Sequence, residues 1–248
     1  MSLNHSPAIV TDGLVLCLDA ANQRSYVGSG SNFTDLKSRG DTSLVNTPSY
    51  TRVARGELSL STNEYFDLTD QLDVFNSIKG GAGTFVYYVK FPIDTSIDVT
   101  LFNATAPTSN NPANYIFIYR RGTYRQGGNS WDAPANTSDL SDYGFYSDTW
   151  HHIVFTSNGS DDSAMYVDGY KNSLNIAGGY HILKDLGSDY TKFLIGSKTS
   201  SSDNGDGTYT HTPSNSSRMT LSKFSVYDRY FTEEQVIEDY RATVGRYT

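Results

Sequence analysis

The sequence has few of the features that cross-link a protein, anchor it in a membrane or direct it to a compartment. Its 248 residues contain one cysteine, Cys17, so no disulfide can form within the chain. This excludes a small scaffold held together by disulfides. The apolar surroundings of Cys17 in "GLVLCLDA" indicate a buried small side chain and not a reactive thiol. No long apolar run occurs, and "MSLNHSPAIVTDG" lacks a basic stretch followed by an apolar one. We therefore predict neither a membrane-spanning helix nor a signal peptide.

Basic residues are also scarce and scattered. The formal net charge is −8, and the densest basic cluster is Arg120, Arg121 and Arg125. Proteins that bind nucleic acid usually carry a basic patch or stripe, and anionic membranes attract the same kind of surface. We therefore expect neither nucleic acid nor a membrane as a partner.

Motifs for nucleophilic, phosphate or zinc chemistry are missing. The sequence contains no Gly-x-Ser-x-Gly elbow, no Walker-type phosphate loop, no Cys-x-x-Cys and no His-x-His. His151 and His152 are adjacent, and adjacent residues of a strand point to opposite faces, so they cannot chelate one metal ion. We expect one of the two side chains to point inward and the other outward.

A catalytic pair of carboxylates is not visible either. Glycoside hydrolysis needs two carboxyl groups roughly 5–9 Å apart. In "NEYFDLTD" the spacing places Glu64 and Asp67 on opposite faces of a strand. The acids of "FTEEQVIED" belong to a predicted helix, where they suit capping and solvent. The sequence therefore predicts that the protein is not an enzyme.

Aromatic residues are abundant, at 13% of the chain, with 19 Tyr and 12 Phe. They fall in short β-branched runs that predict roughly a dozen strands. The apolar run Gly13–Asp19 predicts a strand buried on both faces. "GTFVYYVKF" places four side chains on one face: Phe85, Tyr87, Val89 and Phe91. Asn158-Gly159 and Asp168-Gly169 are typical of tight turns between strands.

The end of the chain changes to a helical pattern. Thr232 followed by Gln235 three residues later is a capping box, and it predicts a helix over residues 233–243. The apolar stripe of this helix consists of Val236, Ile237 and Tyr240.

The stretch "SSSDNGDGTYTHTPSNSS" predicts a long exposed loop and contains a candidate calcium site. Ser202, Asn204 and Asp206 match the first half of a calcium-binding loop. The twelfth position is Pro213, where such a loop needs a bidentate Glu. A plain flexible loop is the alternative interpretation.

A Gly-rich aromatic stretch, "YRRGTYRQGGNSWDAPANTSDLSDYGFY", is the candidate ligand-binding region. Sugar binding requires aromatic faces for the ring and planar polar groups for the hydroxyls. The candidate residues are Tyr124, Arg125, Gln126, Asn129, Trp131, Asp132 and Tyr143. Three interpretations stay open: a glycan site, a protein interface, or aromatic residues that pack on the fold.

Blocks along the chain resemble concanavalin A-like, laminin-G-type domains of the kind found in phage structural proteins. They occur in the family's order and span nearly the whole sequence: "GLVLCLDAANQRSYVGSGSNFTDL", "GELSLSTNEYFDL", "GTFVYYVKF", "DTWHHIVFTSNGSDDSAMYVDGY" and "LSKFSVYDRYFTEEQVIEDYRATVGRY". The resemblance implies an all-β fold, a concanavalin A-like jelly-roll β-sandwich of two antiparallel sheets with a short C-terminal helix. It implies one domain over 1–248, with 1–12 as an N-terminal arm. The first and last strands would be neighbours, and the helix would cover surface near an edge.

The resemblance also implies a function. It favours a non-catalytic phage virion structural protein, exposed on the particle as a capsid decoration (cement) protein or a fibre-like appendage and able to bind glycans. Its partners would be other virion proteins and cell-surface glycans. It would lie on the virion surface after assembly in the host cytoplasm. The alternatives are a receptor-recognition module of a tail fibre and a glycan hydrolase. Calcium binding and a homo-oligomer stay open.

Overall fold

The computed structural model describes residues 9–37, 40–53, 55–78, 81–92, 99–106, 108, 114–119, 123–127, 138–139, 147–159, 163–172 and 190–247. The strands in these residues are β1 Leu14–Asp19, β2 Asn32–Thr34, β3 Asp41–Val45, β4 Ser49–Thr51, β5 Glu57–Leu60, β6 Tyr65–Asp67, β7 Gly83–Lys90, β8 Val99–Thr105, β9 Asn114–Tyr119, β10 Thr123–Gly127, β11 Ser138–Asp139, β12 Trp150–Ser157, β13 Ser163–Val167, β14 Tyr170–Asn172, β15 Lys192–Ile195, β16 Ser197–Asp203, β17 Tyr209–Ser216 and β18 Met219–Tyr227. The helices are α1 Leu72–Ile78 and α2 Glu233–Thr243, with 3-10 turns at Thr69–Gln71 and Val244–Arg246.

Two antiparallel sheets form the predicted β-sandwich. Sheet A has the order β14-β13-β12-β7-β18-β5-β4, and β1 also pairs with β18. Sheet B has the order β11-β10-β9-β8-β15-β6-β3-β2. A third element, the β16–β17 hairpin, lies beside β8 of sheet B. The jelly-roll sandwich with a short C-terminal helix is confirmed.

The main core lies between the two sheets and follows the predicted alternation. The four side chains predicted on one face of the β7 segment all lie in this core: Phe85, Tyr87, Val89 and Phe91. Helix α1 adds Phe75, whose ring stacks on that of Phe193 at 4.3 Å between centroids. The sequence pattern did not predict α1. A helix of seven residues is marginal by itself, so its burial against the core stabilises it.

Strand β18 is the centre of sheet A. It pairs with β7 on one side and with both β1 and β5, end to end, on the other. The register of β1 places Leu14 opposite Tyr227 and Asp19 opposite Lys223, so the first and last strands are neighbours as predicted. Cys17 is buried, and burial raises the pKa of its thiol, so the prediction of an inert packing residue agrees with the structure.

Helix α2 covers the middle of the outer face of sheet A. The helix packs on a second apolar cluster drawn mainly from β7, β12, β13 and β18, whose members include Val86, Tyr88, Val154, Tyr166 and Val236. The expectation that it covers an edge is therefore wrong. These four strands are adjacent in the sheet, and their outward apolar side chains need a cover that only a further layer supplies.

The face that α2 buries is more polar than the predicted stripe. Val236 is fully buried as expected, but Ile237 and Tyr240 are only partly buried. Asp239 and Thr243 are buried beside Val236. The assignment of the helical acids to capping and solvent is therefore wrong for Asp239. Because Asp239 is polar, the apolar stripe of the helix gave no indication that its side chain is buried.

The predicted long loop near residue 205 is also wrong, because its two halves form the β16–β17 hairpin. Ser and Thr occupy five of the seven positions of β16 and four of the eight of β17, and β-branched Thr favours extended backbone. The hairpin lies against sheet B, where the hydroxyl of Thr199 donates to the side-chain oxygen of Asn103 at 3.5 Å. A strand that packs through hydroxyls carries no hydrophobic alternation, so its pattern resembles that of a loop.

The two predicted tight turns differ in outcome. Asp168 and Gly169 have φ of 53° and 82° and form a two-residue connection between β13 and β14, as predicted. Asn158-Gly159 instead begins a longer connection, since β12 ends at Ser157 and β13 begins at Ser163. The chain does turn after Ser157, but over more residues than the dipeptide alone.

Helix α2 begins where the capping box predicts. The amide of Gln235 donates to the hydroxyl of Thr232, and the amide of Thr232 donates to the side-chain oxygen of Gln235 at 3.0 Å.

None of the helices in the described part of the chain is long and apolar enough to cross a membrane.

The cap provides a test of how much α2 contributes to stability. Thr232→Ala removes the acceptor for the Gln235 amide, and we expect the free energy of unfolding to fall by about 1 kcal/mol. Urea unfolding followed by circular dichroism measures this change. Thr232→Ser keeps a capping hydroxyl and should leave stability unchanged. An equal loss in both variants would show that the methyl group matters and the cap does not.

Candidate functional site

A polar cleft of about 440 Å³ opens on the outer face of sheet B beside the β16–β17 hairpin. Its volume lies in the range of small-molecule sites, about 300–1,000 Å³. Its lining residues are Ser43, Asp67, Thr69, Asp70, Thr105, Thr191, Lys192, Tyr209 and His211.

The pleat of sheet B forms the floor of the cleft. Along β6, Phe66 points into the core, so its neighbour Asp67 points outward. Along β15, Phe193 points into the core and Lys192 outward for the same reason. Antiparallel pairing then sets Asp67 opposite Ser43 of β3, and Lys192 opposite Thr105 of β8. Four adjacent strands therefore contribute one polar side chain each.

Asp67 is held in place by the 3-10 turn that follows β6. One carboxylate oxygen, Oδ1, accepts hydrogen bonds from the amide of Thr69 at 3.0 Å and from the Thr69 hydroxyl. No hydrogen bond from the described residues reaches its other oxygen, Oδ2. The carboxylate is therefore oriented and has one oxygen free for a ligand.

Two donors on the floor also have no partner among the described residues. The hydroxyl of Thr105 is buried and forms no hydrogen bond with the described residues. Lys192, directly opposite on β15, forms no ion pair with them. A buried hydroxyl without a partner costs free energy, and a ligand in the cleft would recover that cost.

His211 fixes the hairpin that forms the wall of the cleft. Its Nε2–H donates to the backbone oxygen of Ala106 at 2.7 Å, since a carbonyl can only accept. In the neutral ring Nδ1 then accepts from the hydroxyl of Ser201, 3.0 Å away. Tyr209 lies two residues earlier on β17, so its ring shares this face of the hairpin and lines the cleft.

Three of the residues predicted for ligand binding lie on a strand outside the cleft. Tyr124, Arg125 and Gln126 are on β10, whose backbone pairs with β9. Strand β9 separates β10 from β8, the nearest strand of the cleft. The side chains of these three residues lie outside the described part of the structure, as do Asn129, Trp131, Asp132 and Tyr143. A binding role for this region stays a prediction.

The predicted calcium residues lie at the exposed tip of the hairpin. Asp206 accepts hydrogen bonds from the hydroxyl and the amide of Thr208, and these bonds lower the pKa of its carboxyl. The side-chain oxygen of Asn204 accepts from Thr210 at 2.9 Å. Ser202 belongs to β16. In the described residues no three His, Cys, Asp or Glu side chains form a cluster that could hold a metal ion. The calcium site stays a prediction.

The two histidines point to opposite faces of β12, as predicted. His151 lies on the core side, with Nδ1 2.9 Å from the Asp168 carboxylate. His152 lies on the outer side but is buried under α2, with Nε2 3.2 Å from the carboxylate of Asp239. They share no site, so the argument against a common metal ion agrees with the geometry.

The buried pair of His152 and Asp239 belongs to a polar cluster under α2. Both side chains are fully buried, and Lys223 is buried nearby on β18. Burial by itself would raise the pKa of Asp239, but the hydrogen bond from His152 and the charge of Lys223 hold it below its ordinary value. The neighbouring Tyr88, stacked on Tyr247 at 4.2 Å, has a pKa raised by burial and by the charge of Asp239.

Sequence reasoning missed most of the cleft. Asp67 was considered only as half of a catalytic pair with Glu64, whose carboxylate in fact accepts from the amide of Ser61 at 2.7 Å. One feature of the sequence did point to the wall of the cleft. Tyr209 and His211 have the i, i+2 spacing that places two side chains on the same face of a strand. The cleft itself depends on a hairpin that folds back on sheet B, and the sequence gives no indication of that contact.

No protein-family model and no curated protein matches the chain. Solved structures share its fold. Trypanosoma rangeli sialidase in complex with sialic acid superimposes with a TM-score of 0.63 at 18% identity, over 97% of this chain and 35% of that one. The binding domain of botulinum neurotoxin DC, in complex with rat synaptotagmin II, gives 0.62 at 10% identity, over 94% and 52%. The same toxin domain in complex with SialylT gives 0.58 at 11% identity, over 93% and 52%. The chain thus spans about a third to a half of the proteins whose β-sandwich fold it shares.

Proposed function

We propose that this chain is a non-catalytic glycan-binding module that holds a saccharide unit in the cleft between sheet B and the β16–β17 hairpin. The observation that carries the proposal is a set of polar groups on the cleft floor that have no partner in the described part of the chain. The free oxygen of Asp67 is an acceptor, while the hydroxyl of Thr105 and the ammonium of Lys192 are donors. Neighbouring hydroxyls of a sugar can donate to the first and accept from the others.

The wall of the cleft supports the same ligand class. The ring of Tyr209 lines the cleft, and an aromatic ring provides the apolar face that the C–H side of a pyranose needs. The fold agrees with this proposal, because two of the structures that share it were solved with sialic acid and with SialylT. Those ligands belong to the sialidase and the toxin.

The non-catalytic part of the proposal rests on the surroundings of the acids. Asp67 and Asp70 both line the cleft, so a pair of carboxylates does exist there. A glycosidase acid is usually held in an apolar pocket that keeps it protonated. Asp70 is exposed, and Asp67 already accepts two hydrogen bonds from Thr69. Incubation with chromogenic glycosides tests this point, and turnover that Asp70→Asn abolishes would replace binding with hydrolysis.

The biological setting is proposed from the sequence resemblance alone. We place the module on the surface of a phage particle, as a capsid decoration protein, a fibre-like appendage or the receptor-recognition part of a tail fibre. Its partners would be other virion proteins and the glycans of the cell surface. Detection of the protein in purified particles by mass spectrometry tests this setting.

The test of the cleft is the substitution Asp67→Asn. The amide keeps Oδ1 as an acceptor for Thr69, but it replaces the free carboxylate oxygen with a donor. We expect glycan affinity to fall about tenfold or more, since a hydrogen bond to a charged group contributes about 1.5–3 kcal/mol. A glycan array identifies the ligand, and isothermal titration calorimetry measures the loss.

The matched control is Asp73→Asn, which removes the same charge from the exposed side of α1, outside the cleft. If both variants bind as the wild type does, the sugar site is elsewhere, and Trp131→Ala then tests the predicted aromatic region. If the wild type binds no glycan at any concentration, the proposed function is wrong.

A further inference from the structure

We infer that the cleft discriminates by charge, and that it prefers neutral or amino saccharides to acidic ones such as uronates and sialylated sugars. This inference rests on the proposed function and names the ligand class of the same site. It runs against the simplest expectation from the shared fold, since the sialidase and toxin structures contain sialic acid and SialylT.

The inference follows from the charges that face the cleft. Two lining residues, Asp67 and Asp70, carry carboxylates, and one, Lys192, carries an ammonium group. Asp41 adds another carboxylate on the same outward face of β3, two residues from Ser43, where it accepts from the side chain of Asn32. At neutral pH the described side chains around the cleft therefore have a net negative charge.

Both ring nitrogens of His211 already have partners within the protein. Its ring nitrogens contact the backbone oxygen of Ala106 and the hydroxyl of Ser201, and the neutral ring satisfies both contacts. Neither nitrogen is directed to a ligand carboxylate. Lys192 is then the single cation lining the described cleft, and an acidic sugar that reached it would lie beside the carboxylates as well.

The donors on the floor suit hydroxyls equally well. Thr105 and Lys192 are directly opposite each other in the sheet, and a neutral sugar can accept from both while its own hydroxyl donates to Asp67. A sugar carboxylate would use the same two donors but has no proton for Asp67. A sugar ammonium would instead be attracted by the carboxylates. The expected order is amino sugar, then neutral sugar, then uronate.

The experiment uses the full chain labelled with ¹⁵N and compares sugars that differ only in charge. The ligands are glucose, glucosamine and glucuronate, and the matching galactose, galactosamine and galacturonate. Chemical-shift titration gives each Kd and shows whether the cleft residues respond. We expect a uronate to bind about three- to tenfold more weakly than its neutral sugar at low salt. The reason is that the sugar carboxylate and the carboxylates of the cleft repel each other, and water between them only partly screens this repulsion. The ratio should shrink at high salt.

Variants then connect the ratio to the cleft. Asp70→Asn should bring the uronate and neutral affinities together, and Lys192→Gln should separate them further. Asp73→Asn lowers the overall negative charge by the same amount as Asp70→Asn but outside the cleft, so it should leave the ratio unchanged. A uronate that binds as tightly as the neutral sugar, with shifts in the cleft, would overturn the inference and leave the proposed function intact. No cleft shifts with any of the six sugars would overturn both.

Discussion

Replacing Asp239 with alanine is expected to lower the free energy of unfolding by about 3–5 kcal/mol, the usual cost of removing one partner from a buried ionic pair. The Asp239 carboxylate and His152 are both fully buried, and Lys223 lies nearby with only 3% of its surface exposed. Without the carboxylate, the charge of Lys223 would stay buried and the Nε2–H of His152 would lose its acceptor. Urea unfolding at neutral pH measures the loss.

The control is the preceding residue of the same helix. Glu238 is exposed, so Glu238→Ala changes charge and helix propensity similarly but removes no buried contact. It should alter stability by about 0.5 kcal/mol or less. If the two variants lose equal stability, the buried pair contributes nothing specific, and the polar cluster under α2 would need another explanation.

The same carboxyl makes stability depend on pH at the acid end. Since the pKa of Asp239 is lowered in the folded state, its contribution is fully present above the ordinary value of 3.8. It is lost as the pH falls below 3.8 and through the folded pKa, because protonation removes the charge that Lys223 and His152 favour. The difference in melting temperature between the wild type and Asp239→Asn should therefore narrow as the solution is acidified through this range. A constant difference would contradict the assignment.

Replacing Phe75 with alanine is the second change expected to be severe, at about 3–5 kcal/mol, the typical cost of truncating a buried phenylalanine. The ring lies 4.3 Å from that of Phe193, 5.4 Å from Phe102 and 6.3 Å from Phe85, measured between centroids. It is 1% exposed, so its removal leaves a cavity between the sheets. Thermal and urea unfolding both report the loss.

Phe75 also lies close in sequence to residues that line the cleft. Helix α1 follows directly on the 3-10 turn Thr69–Gln71, which supplies Thr69 and Asp70 to the cleft. Phe75→Leu, a milder change that should still fold, is expected to weaken sugar binding by loosening that turn. Asn76→Ala, at the exposed neighbour, should change neither stability nor affinity. A Phe75→Ala variant as stable as Asn76→Ala would show that α1 is not anchored by this ring.

The strands that face the core could be predicted from the sequence because hydrophobic burial produces a periodic pattern. The β7 segment, the pairing of β1 with β18 and the start of α2 just after its N-cap Thr232 all follow from such local patterns or from the resemblance. The β16–β17 hairpin and helix α1 could not be predicted, because contacts with the rest of the fold stabilise them and their own sequences are short or polar.

The candidate cleft was beyond prediction for a similar reason. Asp67 and Lys192 are 125 positions apart, and only the order of the strands in sheet B brings β6 and β15 together. The burial of Asp239 could not be predicted either. Its position on a short helix was predicted correctly, but its burial depends on His152 of a strand across the interface. Strand order and the partners of buried polar groups are properties of the tertiary structure.

The position of β18 has a consequence for the order in which the chain can fold. Ser225 of β18 contacts Cys17 of β1 across 208 positions, and Thr220 contacts Ser59 of β5 across 161. During synthesis β1, β5 and β7 therefore emerge long before β18, the strand that joins them. Their edges that pair with β18 stay unpaired until then. Contacts of such long range slow folding, and unpaired edges invite association between chains. A ribosome-bound chain that ends before β18 should thus be a strong client for chaperones, and its release from them should coincide with the emergence of Met219–Tyr227.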